Sequence, residues 1–228
     1  MTIKLVAEIG SSPAPEWDFK HWCDVAKASG ATDVKAQCFL ASHFPVSEQA
    51  SKRPLEFPRA RLPEFVAAAH VRGLGCGVSV FDTEAVELAA QHCDWLKLAA
   101  REEENTELRD WTMAWALSQR KPVIRSVTNI SASMLVTFGV THLAALQQYP
   151  APMWRTIFHL LKAAYHFRGH FDWGLSSHTT GLLDCILAAR LGASVIEKHL
   201  AIDPNNIEAG YSLSPHQFKR LAAAVITR

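Results

Sequence analysis

The segment "GCGVSVFDTEAVELAAQHCDWLKLAA", residues 75–100, decides the predicted fold. It opens with a short β-prone run, continues from Asp82 with apolar residues at helical spacing, and closes with a second β-prone run. Parallel strands need a crossover connection, which is usually a helix. The segment therefore predicts one strand–helix–strand unit of a parallel sheet.

The same alternation recurs along the whole chain. The β-prone runs are residues 4–10, 33–39, 75–81, 95–100, 122–127, 142–147, 173–178 and 194–200. A segment with helical periodicity follows each run, including residues 131–139 after the fifth. Eight repeats in 228 residues predict a single α/β domain, a (β/α)8 TIM barrel over residues 1–228, with a doubly wound open sheet as the alternative.

Signals for helix ends accompany this alternation. The predicted N-terminal caps are Asp82, Ser131 and Ser214, and the predicted C-terminal stops are Gly30, Gly73 and Gly192. These signals place helix boundaries between the β-prone runs, as a barrel requires.

Composition and charge restrict the class of partner. The 23 basic residues almost balance the 22 acidic ones, and no run of like charge predicts binding to nucleic acid or to an anionic membrane. No apolar run reaches the roughly 18 residues of a membrane span, and "MTIKLVAEIG" lacks the pattern of a signal peptide. We therefore expect a cytoplasmic protein that acts on small molecules.

The five cysteines have no paired CxxC spacing and are odd in number. This pattern argues against a disulfide framework and against a zinc-thiolate site. We expect reduced thiols buried in the core.

Residues 40–58 form the longest stretch without regular periodicity, directly after the second predicted strand. In a barrel, the loops that follow the strands form the catalytic face. A loop of this length is therefore expected to be a lid or a wall of the substrate site.

Charged and polar residues alternate near the ends of several predicted strands. On one parity they are Glu8, Lys35, Gln37, Lys97, Ser176, His178, Glu197 and His199. Successive side chains of a strand point to opposite faces, and bulky apolar side chains normally fill a barrel. Isolated buried charges are costly unless they pair or bind a charged group. This parity predicts a site for an anionic ligand, a metal ion or both at one rim.

His178 and His199 end the seventh and eighth strands, which are neighbours in a barrel. Two imidazoles with a nearby carboxylate and open positions suit a divalent metal ion that also holds water or substrate. Manganese, magnesium or cobalt fits such a site better than a closed structural zinc. Glu8 is the carboxylate expected to orient a bound water.

Lys35 and Lys97 are the lysines of the inward parity, where they could hold a phosphate or carboxylate. Structural pairing with Glu8 and Glu197 is the alternative. Further hydroxyl donors could come from Ser126, Ser176 and Thr179.

Eight segments, in order along the chain, resemble the sialic acid synthase (N-acetylneuraminate synthase) family. They are "AEIG", "GATDVKAQCF", "SVFDTEAVEL", "LKLAAREEEN", "KPVIRS", "QQYPAP", "GLSSHTTG" and "LGASVIEKHLAID", the last continuing through "SLSP". The resemblance covers essentially the whole chain and agrees with the predicted barrel.

The resemblance implies a reaction and roles for individual residues. Phosphoenolpyruvate would condense with the open-chain aldehyde of an amino sugar, giving a 2-keto acid and phosphate with the help of manganese or another divalent metal. The metal ligands would be His178 and His199. Phosphoenolpyruvate would contact Lys35, Lys97, Ser79, Ser126 and Ser176. Proton transfer and sugar contacts would involve Glu8, Glu102, Gln37, Gln147, Tyr149 and Glu208.

The chain also departs from the family pattern. "SSPAP" stands where the family has an Asn-His pair, Gln147 replaces an asparagine, and Ala100 replaces a serine. We expect the chain to lack the C-terminal antifreeze-like domain of the family, and therefore to form a homodimer through the barrel or a complex with a separate chain. Two other functions remain open: a metal-dependent pyruvate aldolase or lyase, and a subunit that binds without turnover.

Overall fold

The chain folds into a closed barrel of eight parallel strands. The computed structural model describes residues 3–10, 17–130, 139–167, 172–202 and 208–226. The strands are β1 (Lys4–Glu8), β2 (Asp33–Cys38), β3 (Gly75–Val80), β4 (Trp95–Leu98), β5 (Val123–Val127), β6 (Val140–Ala145), β7 (Trp173–Ser177) and β8 (Val195–His199). Each pairs with its neighbour in sequence, and β8 closes on β1. The predicted TIM barrel is confirmed, and the open sheet is excluded.

Helices alternate with the strands. They are α1 (Phe19–Ala28), α2 (Val46–Lys52), α3 (Leu62–Val71), α4 (Thr83–His92), α5 (Thr106–Gln119), α6 (Met153–Phe167), α7 (Leu183–Leu191) and α8 (Pro215–Ile226). Asp82 caps α4 as predicted, because its side chain accepts a hydrogen bond from the Ala85 amide. The predicted helix at 131–139, with its cap Ser131, lies outside the described residues except for Gly139. None of the helices described is long and apolar enough to cross a membrane.

The barrel interior has an apolar layer beneath the polar rim. Val6, Trp95, Ile124, Leu143 and Val195 come from five strands and pack together, which is possible only inside the barrel. A Cβ atom at Gly77 would lie 2.5 Å from the Trp95 ring, so the glycine makes room for the indole. Two residues further along four of these five strands, the inward side chains are charged or polar: Glu8, Lys97, Ser126 and Glu197.

A larger apolar core lies between the strands and the helices. On α4, Ala85, Val86, Ala89 and Ala90 are buried, at the spacing of a helix face that packs on a sheet. All five cysteines are buried and unpaired, as predicted. Burial raises the pKa of the Cys38 thiol to about 12, so this thiol stays protonated at neutral pH.

Residues 40–58 are more ordered than the sequence predicts. They contain α2 and short 3-10 turns at Ala41–His43 and Arg53–Leu55. The expectation of an irregular loop was wrong at α2, because this helix buries none of its residues and so has no apolar periodicity.

Candidate active site

A cavity of about 340 Å³ opens at the carboxyl ends of the barrel strands. Twelve of the thirteen predicted site residues line it: Glu8, Lys35, Gln37, Ser79, Lys97, Ser126, Gln147, Tyr149, Ser176, His178, His199 and Glu208. Glu197 of the inward parity joins them. Strand register explains the convergence, since Glu8 lies opposite both Lys35 on β2 and His199 on β8.

Two lysines and two glutamates form a buried ionic cluster in the floor of this cavity. The Lys97 ammonium donates to both Glu197 carboxylate oxygens, at 2.7 and 2.8 Å. Lys35 forms an ion pair with Glu8, and its Nζ lies 3.7 Å from Glu197 Oε2. Ser176 Oγ donates to Glu197 Oε1 at 2.8 Å. Each charge is therefore paired, which a nearly solvent-free site requires.

Burial and the neighbouring charges shift the pKa values of Lys35, Lys97 and Glu197. Burial lowers the pKa of Lys97 to about 8, although the negative charge of Glu197 opposes this shift. Burial also disfavours the charged form of Lys35, but the carboxylates of Glu197 and Glu8 outweigh it and raise the Lys35 pKa. Burial raises the pKa of Glu197, but the two lysines outweigh this and hold the pKa below its usual range. Lys35 and Glu197 are thus charged at neutral pH, and Lys97 is the lysine of this cluster closer to releasing its proton.

The Ser126 hydroxyl is a buried polar group at the wall of the cavity. This side chain lines the cavity and is 2 % exposed, and its Oγ has no hydrogen-bond partner among the described residues. By contrast, Ser79 Oγ accepts a hydrogen bond from Lys35 Nζ at 2.8 Å. A buried polar atom without a partner costs about 1–3 kcal/mol. The unpaired hydroxyl fits a site whose polar ligand completes the hydrogen bonding.

The two imidazoles are held by their Nδ1 atoms. His178 Nδ1 lies 2.6 Å from the Leu146 carbonyl oxygen, which can only accept, so this nitrogen carries the proton. His199 Nδ1 likewise donates to Glu208 Oε2 at 3.0 Å. The ring centroids are 5.6 Å apart. Both rings line the cavity. Ser176 Oγ lies 3.5 Å from His178 Nε2 but gives its proton to Glu197, so this Nε2 lone pair can still accept another ligand.

Protonation of His178 does not compete for this lone pair at neutral pH. Burial, together with a smaller contribution from the neighbouring His199, lowers its pKa to about 3. Neutral imidazole is the form that binds a metal ion. Among the residues described, no group of three or more His, Cys, Asp or Glu side chains is arranged to hold a metal. The protein donors found here are therefore the two imidazoles.

Two tyrosines surround the imidazoles. The Tyr149 ring centroid is 4.2 Å from that of His178 and 5.0 Å from that of Tyr211. Tyr211 in turn lies 5.0 Å from His199 in an edge-to-face contact. Sequence reasoning missed Tyr211, because it follows β8 in a segment without strand or helix periodicity. Its place two residues before "LSP" is the only sequence signal near it.

Glu102 is the predicted site residue that does not line the cavity. It lies in the short 3-10 turn Ala100–Glu102, where Arg101 Nε approaches its Oε1 to 3.2 Å and Asn105 Nδ2 donates to its Oε2 at 3.1 Å. Its neighbour Arg101 lines the cavity instead. The catalytic role of Glu102 stays a prediction.

Aromatic and basic side chains form the outer wall of the cavity. Phe39, Phe44 and Phe81 line this wall together with Lys52 and Arg101. The Arg101 guanidinium lies 4.3 Å from the Phe44 ring centroid. Lys52 Nζ, at the end of α2, lies 4.9 Å from the same centroid. Phe44 and Lys52 belong to residues 40–58, which supports the predicted wall.

A buried polar network behind β7 and β8 supports His178 from outside the barrel. Lys198 Nζ donates to Ser177 Oγ at 3.0 Å and to the Thr179 carbonyl oxygen at 2.5 Å. Asp184 accepts from the hydroxyls of Ser177 and Thr179, at 2.7 and 3.1 Å. Both chain neighbours of His178 are thus fixed by the same two charged residues, Lys198 on the outward parity of β8 and Asp184 on α7.

Known proteins resemble this chain over nearly its whole length. Residues 22–227 match the model of the NeuB family. The chain is 36% identical over 267 residues to N,N'-diacetyllegionaminic acid synthase of Campylobacter jejuni, covering 97% of this chain and 75% of that protein. It is 26% identical over 258 residues to pseudaminic acid synthase of Helicobacter pylori, covering 97% and 73%.

Solved structures share the fold. N-acetylneuraminic acid synthetase of Leptospira borgpetersenii superposes with a TM-score of 0.84 at 21% identity, covering 99% of this chain and 83% of that one. The spore coat polysaccharide biosynthesis protein SpsE of Bacillus subtilis gives 0.78 at 22% identity, covering 98% and 67%. The family match extends over nearly the whole barrel, and the resemblance found in the sequence is confirmed: the chain belongs to the NeuB family, a sialic acid synthase-like barrel.

Proposed function

We propose that this single barrel domain is a synthase that condenses phosphoenolpyruvate with a sugar aldehyde. The methylene carbon of phosphoenolpyruvate would bond to the aldehyde carbon, water would add to the enol carbon, and phosphate would leave, yielding a 2-keto acid. The observation that carries this proposal is the convergence in one cavity of two lysines, two imidazoles and a buried serine hydroxyl that has no partner among the described residues. Membership of a family whose named relatives are sugar-acid synthases supports it.

Phosphoenolpyruvate would bind over the ionic cluster. Lys35 and Lys97 supply positive charge, and each ammonium has three donors, so both can contact a carboxylate or phosphate while keeping a glutamate partner. Ser126 supplies the hydroxyl that has no partner among the described residues. Ser79 and Ser176 lie beside the lysine and the glutamate, respectively, and would complete the polar cradle.

A divalent metal, with manganese expected and magnesium or cobalt as alternatives, would bind Nε2 of His178 and His199. The fit rests on the donor chemistry: both Nδ1 atoms already donate to oxygen, and His178 is neutral at working pH. When bound, such an ion polarises a carbonyl oxygen and orients water. Leu146 and Glu208 would fix the two rings, and Glu8 would hold or accept a proton beside them.

The acceptor would occupy the outer half of the cavity. Tyr149 and Tyr211 offer ring faces and hydroxyls next to the imidazoles, as sugar recognition requires. Gln147 donates to the Ala100 carbonyl oxygen through Nε2, which fixes its amide at the cavity wall. Phe44 and Arg101 would limit the length of the acceptor.

Phosphate release tests this function. Purified protein mixed with phosphoenolpyruvate, Mn²⁺ and a panel of N-acylated amino sugars should release phosphate and form a 2-keto acid in equal amounts. A pyruvate aldolase would instead form the keto acid from pyruvate without phosphate. A subunit without turnover would bind phosphoenolpyruvate and release nothing. Either of these results contradicts the proposal.

A further inference from the structure

His43 lies directly behind the outer wall of the cavity. It closes the 3-10 turn Ala41–His43 and precedes Phe44 of the wall. Its ring stacks on that of Phe81, with the centroids 6.1 Å apart and the planes at 23°. The imidazole does not line the cavity, and the proposed chemistry uses none of its atoms. Its contacts run instead to residues that shape the wall.

Both ring nitrogens of His43 form hydrogen bonds. The Leu40 amide donates to Nδ1 at 3.1 Å, so this nitrogen accepts and the neutral ring carries its proton on Nε2. Nε2 in turn donates to Asp82 Oδ2, at 2.8 Å. The first contact is to the chain three residues earlier, whereas the second is to the residue that caps α4. The ring therefore connects the 3-10 turn to the barrel.

Asp82 is a fixed partner for this ring. Besides capping α4 through the Ala85 amide, its carboxylate accepts from Arg59 Nη2 at 2.5 Å. Arg59 Nη1 donates to Glu84 Oε2 at 2.6 Å. Burial alone would raise the pKa of Asp82, but the hydrogen bonds from Arg59 and Ala85 outweigh it and hold the pKa below its usual range. An ionised carboxylate held in this way determines where the His43 ring lies.

The backbone of His43 positions Arg101, a residue of the outer wall. Arg101 Nη2 donates to the His43 carbonyl oxygen at 2.9 Å. The guanidinium also contacts the rings of Phe44 and Phe81, at 4.3 and 5.7 Å from their centroids. Because 37% of the Arg101 side chain is exposed, packing alone does not select one rotamer. Contacts thus run from Asp82 through His43 to the guanidinium that borders the cavity.

We propose that His43 is a positioning residue that determines which acceptors the cavity admits. It touches neither reactant and acts through Arg101 and Phe44, which would limit the length of the acceptor. This inference rests on the proposed function, in which the acceptor occupies the outer half of the cavity. Loss of the contact with Asp82 should let the turn and Arg101 shift, so that longer acceptors fit. Phosphoenolpyruvate binding should be unaffected, because the ionic cluster belongs to β1, β2, β4 and β8.

Two substitutions separate the two ring contacts. In His43→Gln, the side-chain amide nitrogen can take the place of Nε2 and donate to Asp82. In His43→Asn, the shorter side chain can take the place of Nδ1 and accept from Leu40, but it does not reach Asp82. Each variant keeps one hydrogen bond, so the two are matched controls for a general loss of stability. The proposal requires His43→Gln to resemble the wild type and His43→Asn to differ from it.

Steady-state kinetics measures the selection of the acceptor. In His43→Asn, the KM for a short N-acylated amino sugar should rise roughly three- to tenfold, the cost of one hydrogen bond. The preference for short over long acceptors should fall by a similar factor. The kcat and the KM for phosphoenolpyruvate should stay within about twofold of the wild type in both variants. An unchanged acceptor KM in His43→Asn, or equal losses for both substrates, would overturn the proposal.

Labelling of Arg101 tests the positioning without turnover. Phenylglyoxal modifies arginine side chains, and mass spectrometry locates the modified residues. Arg101 should react roughly three- to tenfold faster in His43→Asn than in the wild type or His43→Gln, because its hydrogen bond to the His43 carbonyl weakens. Arg72, which is bound to Asp24, is the internal control and should react at one rate in all three proteins.

Equal labelling rates of Arg101 in the three proteins would overturn the proposal. A wild-type protein that releases no phosphate would instead contradict the proposed function, and the statement about acceptors would fall with it. The labelling rates would still decide whether His43 positions Arg101.

Discussion

Lys97 donates to both carboxylate oxygens of Glu197, a residue 100 positions away on a strand that is not its neighbour. The pair crosses the barrel interior and ties β4 to β8. Because both groups are almost fully buried, neither is stable alone as an ion. This contact makes the charge state of the proposed phosphoenolpyruvate site depend on a lysine whose pKa is about 8.

The affinity for phosphoenolpyruvate should fall as the pH rises above about 8. The pKa of Lys97 is lowered, so the ammonium is present below about pH 8 and is lost as the pH rises through that value. Calorimetry should show constant affinity from neutral pH to about 8 and weaker binding above it, since the phosphate is already fully ionised there. Lys97→Arg, which keeps its charge, should remove the break in the profile. An identical break in that variant would assign it to another group.

Neutral side chains in place of both Lys35 and Glu8 should preserve most of the protein's stability but not its affinity for phosphoenolpyruvate. Lys35→Met leaves a buried Glu8 carboxylate without its partner and should lower the free energy of unfolding by about 3–5 kcal/mol. Adding Glu8→Gln should recover most of that loss. Phosphoenolpyruvate binding should stay at least tenfold weaker in the double variant, because the cation is gone. Urea unfolding and calorimetry measure both quantities, and recovered binding would remove Lys35 from the site.

Ser126→Ala should weaken ligand binding without destabilising the protein. Its hydroxyl lacks a partner among the described residues, so its removal should leave stability unchanged or raise it by about 1 kcal/mol. The affinity for phosphoenolpyruvate should fall by roughly five- to tenfold through the lost hydrogen bond. Ser79→Ala is the matched control, because its hydroxyl accepts from Lys35 and its loss should cost stability. Undiminished affinity in Ser126→Ala would contradict the placement of the ligand.

Lys198→Met should affect metal binding more than phosphoenolpyruvate binding. Lys198 fixes Ser177 and Thr179 on either side of His178. Loss of supporting contacts of this kind typically lowers metal affinity about 10- to 100-fold. Titration with Mn²⁺ and, separately, with phosphoenolpyruvate in the absence of metal should show this split. Equal losses in both titrations would indicate a general structural role.

The sequence predicted the site best where strand periodicity applies. Glu8, Lys97 and His199 share the inward parity of their strands, and register alone brings them together. Lys198 has the opposite parity, so its polar environment depends on Asp184 of α7, a tertiary contact that no local pattern encodes.

Loop residues were harder to predict. Tyr211 reaches the imidazoles from a connection without periodicity. Glu102 and Arg101 are adjacent in a single 3-10 turn, where one residue of rotation decides which side chain lines the cavity. The family resemblance predicts that this turn borders the site, but the path of the backbone determines that Arg101 lines the cavity and Glu102 does not.

The metal content and turnover of His178→Ala and His199→Ala test the central claim most directly. Wild-type protein should bind about one divalent ion per chain and release phosphate from phosphoenolpyruvate in the presence of an aldehyde acceptor. Each variant should lose the ion and the turnover, while its thermal unfolding stays close to that of the wild type. If both variants keep the full metal content and rate, the two imidazoles are structural and the proposed site is wrong.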